Sequence, residues 1–132
     1  MYIGGKDVIA MAKALKHTQI KHYSEGETMS VVTIYVTAGS LDEAKNIART
    51  VIGERLAACA NILENVTSMF HWDGAVQEET EVAMILKTRR DLVTALTERI
   101  KKIHSYECPC ITAHDIVDGH GGFLSWINAK TA

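Results

Sequence analysis

The residues best suited to chemistry are Cys108-Pro109-Cys110, with His104 just before them. Thiolate and imidazole groups are suitable ligands for Cu(I), Zn(II) and similar ions. Residues two apart in an extended segment face the same side, so both sulfurs can converge. The pattern therefore predicts a metal site for copper or another divalent ion, formed by His104, Cys108 and Cys110, with Glu107 as an additional oxygen donor.

A packing interpretation of the same cysteines stays open. Their spacing is Cys-x-Cys rather than the paired Cys-x-x-Cys that is typical of zinc sites. Cysteine also packs well as a small hydrophobic residue at the start of a strand. Cys59 follows an apolar helix end, and we interpret it as a buried, unreactive thiol.

No catalytic motif is recognisable in the sequence. It lacks Gly-x-Ser-x-Gly, the phosphate-binding Gly-x-x-x-x-Gly-Lys and His-Glu-x-x-His. A nucleophilic pair of His104 with Cys108 or Cys110 lacks a third group that would orient it. We therefore predict a binding protein without a catalytic centre of its own.

Composition limits the class of protein. A chain of 132 residues with 47% hydrophobic content suits one compact domain. The formal charge of -2 and the lack of a basic block argue against nucleic-acid binding. The apolar runs are too short for a membrane span, and the N-terminus lacks the pattern of a signal peptide. Three cysteines with no export signal predict a cytoplasmic protein.

The N-terminal segment differs from the rest of the chain. Its apolar residues at helical spacing predict a short amphipathic helix over 7–16, followed by a polar linker. We interpret residues 1–28 as an extension and residues 29–132 as the folded domain. Docking of the extension on a partner or a membrane surface is the alternative.

Strands and helices alternate from residue 31 onward. The β-branched segment 31–37 predicts a strand. Ser40 and Glu43 form a capping box, which predicts a helix that continues to about Ala58. A second strand is predicted over roughly 60–72, where four apolar residues share even-numbered positions: Ile62, Val66, Phe70 and Trp72.

A long hairpin is predicted around Asp73-Gly74, since both residues tolerate the positive φ of a tight turn. The return strand covers about 76–87, and its end is apolar on both faces. A monomer would leave this apolar surface or a long strand edge exposed, which favours association of several copies.

The second half repeats the alternation. Thr88 and Asp91 are predicted to open a helix, a fourth strand follows over 111–117, and a short helix ends the chain. The first of these helices is predicted to face inward with Leu92, Leu96, Ile100 and Ile103, and the short final helix contains Leu124, Trp126 and Ile127. The order β-α-β-β-α-β-α predicts an α+β protein with the ferredoxin-like split βαβ architecture, its sheet antiparallel and its helices on one face.

Five segments in order resemble the CutA family of divalent-cation tolerance proteins. They are ERLAACANI (54–62), HWDG-x-V-Q (71–77), ILKTRR (85–90), IHSYECP (103–109) and FLSWINA (123–129). The resemblance spans about residues 30–129. It implies a ferredoxin-like protomer in a homotrimer, where hairpins, here about 66–82, extend the sheets of neighbouring copies. It also implies a cytoplasmic protein linked to tolerance of copper or other divalent cations.

The metal ligands of the family carry over only in part. Val36 stands where some members have a cysteine, and Ile103-His104 stands where some have two histidines. Cys59 matches a family cysteine, whereas Cys110 replaces a usual glutamate. Of the family's histidine pair, His104 is therefore the residue that remains.

Three functions stay open at this point. The first is a trimeric protein that binds divalent or soft metal ions in a metal-stress response. The second is a signalling module similar to the trimeric PII regulators, binding a small ligand or a partner protein at subunit clefts. The third is a structural role of the trimer itself.

Overall fold

The computed structural model describes residues 30–132, so the predicted extension 1–28 lies outside the described residues. The strands are β1 (Val31–Ala38), β2 (Cys59–Trp72), β3 (Ala75–Arg89) and β4 (Ile111–Asp115). The helices are α1 (Leu41–Gly53), α2 (Val93–Ile103) and α3 (Gly121–Lys130), and a 3-10 turn, Arg90–Leu92, precedes α2.

The four strands form one antiparallel sheet in the order β2-β3-β1-β4. Consecutive strands β1 and β2 are separated in the sheet by β3, and β3 and β4 are separated by β1. Each separated pair is linked through a helix, which makes two interleaved split βαβ units. The predicted ferredoxin-like architecture is confirmed.

The main core lies between one face of the sheet and helices α1 and α2. Alternate residues of β1, among them Ile34 and Val36, are fully buried there. The helices contribute buried residues to the same cluster: Ala44, Ile47, Ala48, Val51, Leu96 and Ile100. The inward positions predicted for Leu96 and Ile100 are confirmed.

Helix α3 packs in a second, smaller cluster. Leu124 and Ile127 pack there with Val31 and Ala58. Because successive strand residues point to opposite faces, Val31 faces away from the main core that its neighbour Val32 joins. The first two helices thus share one face, and α3 covers the beginning of β1 on the other. The prediction that the helices lie on one face is therefore wrong for α3.

Helix α1 ends five residues before the predicted Ala58. Arg55 has φ 60°, and its N–H donates to the carbonyl of Ile52 at 3.0 Å. The N–H of Leu56 donates to the carbonyl of Val51 at 2.9 Å. This pair of bonds is a Schellman C-cap, with Arg55 in the left-handed conformation that stops the helix. The apolar residues after Gly53 belong to the connection into β2.

The second helix begins later than Thr88 and Asp91 predicted. Thr88 is still part of β3, fully buried, and its hydroxyl donates to the carbonyl of Leu56 at 2.6 Å. Asp91 lies in the 3-10 turn, and the α-helix starts at Val93. Thr88 is therefore hydrogen-bonded to the segment between α1 and β2, and it does not cap α2.

The predicted hairpin turn is confirmed, with φ 52° at Asp73 and 77° at Gly74. The even-numbered face predicted for β2 is wrong beyond Leu63, because a β-bulge interrupts the pairing between Leu63 and Val66. Before the bulge Ile62 lies opposite buried Met84, whereas after it Val66 lies opposite Glu81. An extra residue moves every later side chain to the other face.

Candidate functional site

Glu43 lies in the first turn of α1 and connects that helix to a distant loop. Its N–H donates to the Ser40 hydroxyl at 3.1 Å, as the capping box predicts. The Glu43 carboxylate accepts the N–H of Gly39 at 3.3 Å and the N–H of Ser105 at 2.8 Å. Partial burial works against ionisation, but these hydrogen bonds and nearby His104 outweigh it and lower the pKa of Glu43.

His104 follows the last residue of α2, and its side chain is fully buried. Its Nδ1 accepts the N–H of Tyr106 at 3.0 Å. Its Nε2 lies 2.8 Å from the carbonyl of Thr37 at the end of β1 and donates to it. Both ring nitrogens are therefore engaged in hydrogen bonds within the protein.

Tyr106 contacts the His104 ring and the strand β3. Its ring centroid lies 4.7 Å from that of His104, and its hydroxyl donates to the Glu81 carboxylate at 2.9 Å. Burial, together with the bond to Glu81 and the charges of three carboxylates, raises the pKa of Tyr106 to about 12. A Cβ at Gly39 would lie 3.3 Å from the Tyr106 hydroxyl, so glycine allows this close approach.

These contacts fix the beginning of the segment 104–110, which we call the thiol loop. Residues 104–106 are held by β1, by α1 and by β3 through Thr37, Glu43 and Glu81. Cys108 and Cys110 follow as exposed free thiols. The thiol loop thus has its first residues fixed by hydrogen bonds and exposes two sulfur atoms, which are soft metal ligands, at the surface.

The structure does not assemble a complete metal site from the predicted ligands. In the described part of the chain, no group of three or more His, Cys, Asp or Glu side chains could hold a metal ion. His104 would have to release the Tyr106 amide before its Nδ1 could bind a metal. The set of His104, Cys108 and Cys110 therefore stays a prediction, and the two exposed thiols are its accessible members.

Cys59 lies at the start of β2 and is partly buried. Burial raises the pKa of the Cys59 thiol, and the charge of Lys87 opposes that shift without cancelling it. A raised thiol pKa means a lower thiolate fraction at neutral pH. These properties agree with the interpretation of Cys59 as an unreactive thiol.

Two parts of the site have no local pattern in the sequence. Tyr106 and Glu81 are 25 positions apart, and their hydrogen bond depends on how β3 and the thiol loop pack together. The capping box identified Glu43 as a helix residue but did not indicate that its carboxylate would hold Ser105. Outside this site, nothing in the sequence indicated that His120 would cap a helix. Its Nδ1 accepts the N–H of Phe123 at 3.1 Å at the start of α3.

The sheet order and the helix positions define a protein of the ferredoxin-like class. Residues 32–130 match the family model of the CutA1 divalent ion tolerance protein. The chain therefore belongs to the CutA1 family, as the five sequence segments indicated.

Named relatives support this assignment. The divalent-cation tolerance protein CutA of Archaeoglobus fulgidus is 44% identical over 95 residues, covering 72% of this chain and 92% of that protein. Protein CutA of Mus musculus is 39% identical over 102 residues, covering 77% of this chain. The chain spans only 58% of the length of the mouse protein.

Solved structures have the same fold. CutA1 from Oryza sativa superposes with a TM-score of 0.77 at 37% identity, covering 80% of this chain and 97% of that one. The periplasmic divalent cation tolerance protein CutA from Archaeoglobus fulgidus gives a TM-score of 0.75 at 41% identity, covering 77% and 99%. Within residues 30–132, no helix is long and apolar enough to cross a membrane.

Proposed function

We propose that this chain is a homotrimeric binding protein of metal tolerance, which takes up copper or another divalent or soft metal ion through the thiol loop. Its role is binding rather than catalysis, and its proposed location is the cytoplasm. The observation that carries the proposal is the pair of exposed free thiols, Cys108 and Cys110, in a chain of the CutA1 divalent ion tolerance family.

The surroundings of the thiol loop favour a cation. Glu43, Glu79 and Glu81 all exert their negative charge on Tyr106 and raise its pKa. The negative electrostatic potential of these three carboxylates also attracts a positively charged ion toward the thiol loop. Thiolates are soft ligands, which suits Cu(I) and Zn(II) better than Mg²⁺ or Ca²⁺.

Further ligands are proposed to come from neighbouring copies. Two thiols do not fill the four positions of a closed zinc site. In a symmetric trimer each thiol loop has two equivalents, so ligands from more than one copy can share an ion. Large exposed apolar side chains on the β2–β3 hairpin, including Met69 and Trp72, support such an assembly.

Metal titration of a thiol-loop variant tests the proposal. Cys108→Ser combined with Cys110→Ser should weaken Cu(I) or Zn(II) binding by more than about 100-fold, since loss of partners outside the ligand shell alone costs about 10- to 100-fold. Equilibrium dialysis against each ion measures the change. Cys59→Ser is the matched control and should bind as the parent does. Equal binding by the double variant and the parent would contradict the site.

His104 has two distinguishable roles in this proposal. As an anchor, it holds Tyr106 and Thr37 and touches no metal. His104→Gln should then lower stability and keep the parent's metal stoichiometry. As a ligand, it would contribute Nδ1, and the substitution would reduce the stoichiometry. Binding should weaken as pH falls in either case, since thiolate ligation requires proton loss.

A further inference from the structure

A groove between α1 and the edge strand β2 lies apart from the thiol loop. It has a volume of about 720 Å³, within the range of roughly 300–1,000 Å³ that small-molecule sites occupy. Its walls come from one stripe of α1 and from β2 at the bulge and just before it. The lining residues are Leu41, Lys45, Ala48, Arg49, Ile52, Gly53, Ile62 and Glu64.

The floor of the groove is apolar and supported by the main core. Leu41, Ile52 and Ile62 are partly buried and pack against the core cluster, and Ala48 is a buried member of it. Because the floor rests on packed helix and strand, the groove keeps its shape without a ligand. Such a surface suits the hydrocarbon or aromatic part of a small molecule.

Two cations stand beside this apolar floor. Lys45 and Arg49 lie one helical turn apart on α1, so their side chains are neighbours on the helix surface. Neither has a carboxylate partner within residues 30–132, whereas Arg99 on α2 pairs with Glu54 at the end of α1. Both charges are therefore available to a ligand. Glu64 is the one acidic side chain of the lining.

We infer that this groove binds a small amphipathic monoanion, with its apolar body on the floor and a single carboxylate at Lys45 and Arg49. The arginine fork matches a carboxylate in two parallel hydrogen bonds. Two cations and one carboxylate leave an excess of one positive charge, so Glu64 disfavours a second negative charge on the ligand. This inference goes beyond the proposed metal role and uses none of its residues.

Calorimetric titration of the full chain with 4-phenylbutyrate tests the charge requirement. The parent should bind this probe more tightly than the neutral 4-phenylbutanol and the dianionic phenylsuccinate. Arg49→Gln and Lys45→Gln should each weaken binding about 10-fold or more, as expected for a charged hydrogen bond. Lys102→Gln, an exposed cation on α2, is the matched control and should leave affinity unchanged.

A blocking variant tests the position. A Cβ at Gly53 would meet no atom within 4 Å, so Gly53→Phe can place its ring at the groove without a backbone clash. This variant should keep the parent's circular dichroism and oligomeric size and lose probe binding. The Cys108→Ser, Cys110→Ser variant should bind the probe normally, which separates this inference from the metal proposal.

Several results would overturn the inference. One is that the parent does not bind 4-phenylbutyrate at millimolar concentration. Another is that the parent binds 4-phenylbutanol as tightly as 4-phenylbutyrate. A third is that a folded Gly53→Phe variant binds 4-phenylbutyrate as tightly as the parent. Binding that appears only when the assembly is dissociated would also overturn it, since the groove would then be covered by a neighbouring copy.

Discussion

At the scale of single residues, Glu43 connects parts of the chain that are far apart in sequence. Its carboxylate accepts N–H groups from Gly39, before α1, and from Ser105, after α2. Hydrogen bonds to an ionised acceptor are stronger than neutral ones, so the carboxylate stabilises the start of the thiol loop. Its lowered pKa means that the folded protein favours the ionised form.

Replacing Glu43 by Gln should therefore destabilise the protein by about 0.5–1.5 kcal/mol at neutral pH, because the amide NH₂ cannot accept a hydrogen bond. Urea unfolding measures this loss. Glu98→Gln is the control, since Glu98 is exposed and forms a surface ion pair with Lys101, and it should have little effect.

The same substitution has a defined pH dependence. The pKa of Glu43 is lowered on folding, so its contribution is fully present above its ordinary value of 4.5. That contribution is lost as pH falls from there through the lower folded pKa. The stability gap between parent and Glu43→Gln should narrow over this window. A gap that stays constant down to pH 3 would show that ionisation of Glu43 is unrelated to its effect.

At the scale of elements, the C-cap of α1 carries a conformational cost. Arg55 adopts φ 60°, which is unfavourable for a residue with a side chain by about 1–2 kcal/mol. Glycine would remove that cost but would lose more entropy on folding, about 0.5–1 kcal/mol.

Arg55→Gly should consequently stabilise the protein by about 0.5–1 kcal/mol, the difference between these two terms. Thermal and urea unfolding measure the gain. Arg55→Ala removes the same charge and keeps the strained conformation, so it should show no gain. A gain of similar size in both variants would mean that the charge, not the backbone, is responsible.

The strands, turns and helix ends also show which structural features could be predicted from the local sequence. The strand at 31–37, the Ser40 cap and the Asp73-Gly74 turn are specified by neighbouring residues and were predicted correctly. The end of α1 was missed because arginine rarely adopts positive φ, as Arg55 does here. The bulge after Leu63 was missed because Asn65, whose residue type adopts positive φ more readily, stands inside a strand pattern with no glycine or proline beside it. The contacts of Tyr106 were missed for another reason, since they depend on packing between distant segments.

At the scale of the whole molecule, the hairpin formed by β2 and β3 extends beyond the part covered by helices. Met69, Trp72 and Val76 near its tip are 66%, 67% and 68% exposed. The strand pairing places Trp72 on one face of the hairpin and Met69 and Val76 on the other, so both faces near the tip carry exposed apolar side chains that favour association. The bulge turns Val66, Phe70 and Trp72 toward the face opposite the main core. The exposed apolar side chains of the hairpin tip are where the proposed trimer would form.

Trp72→Ala should weaken that trimer and leave the protomer folded, since Trp72 makes no contribution to the core clusters of the protomer. Burial of a large apolar side chain contributes about 1.5–3 kcal/mol, so the dissociation constant should rise about 10- to 100-fold. Sedimentation equilibrium measures the constant, and the melting temperature should become more dependent on protein concentration. Val117→Ala removes an exposed apolar group outside the hairpin, where Val117 is 78% exposed, and should leave association unchanged. A parent that sediments as a monomer at micromolar concentration would contradict the trimer itself, whereas an unchanged constant in Trp72→Ala would place the subunit contact away from the hairpin tip.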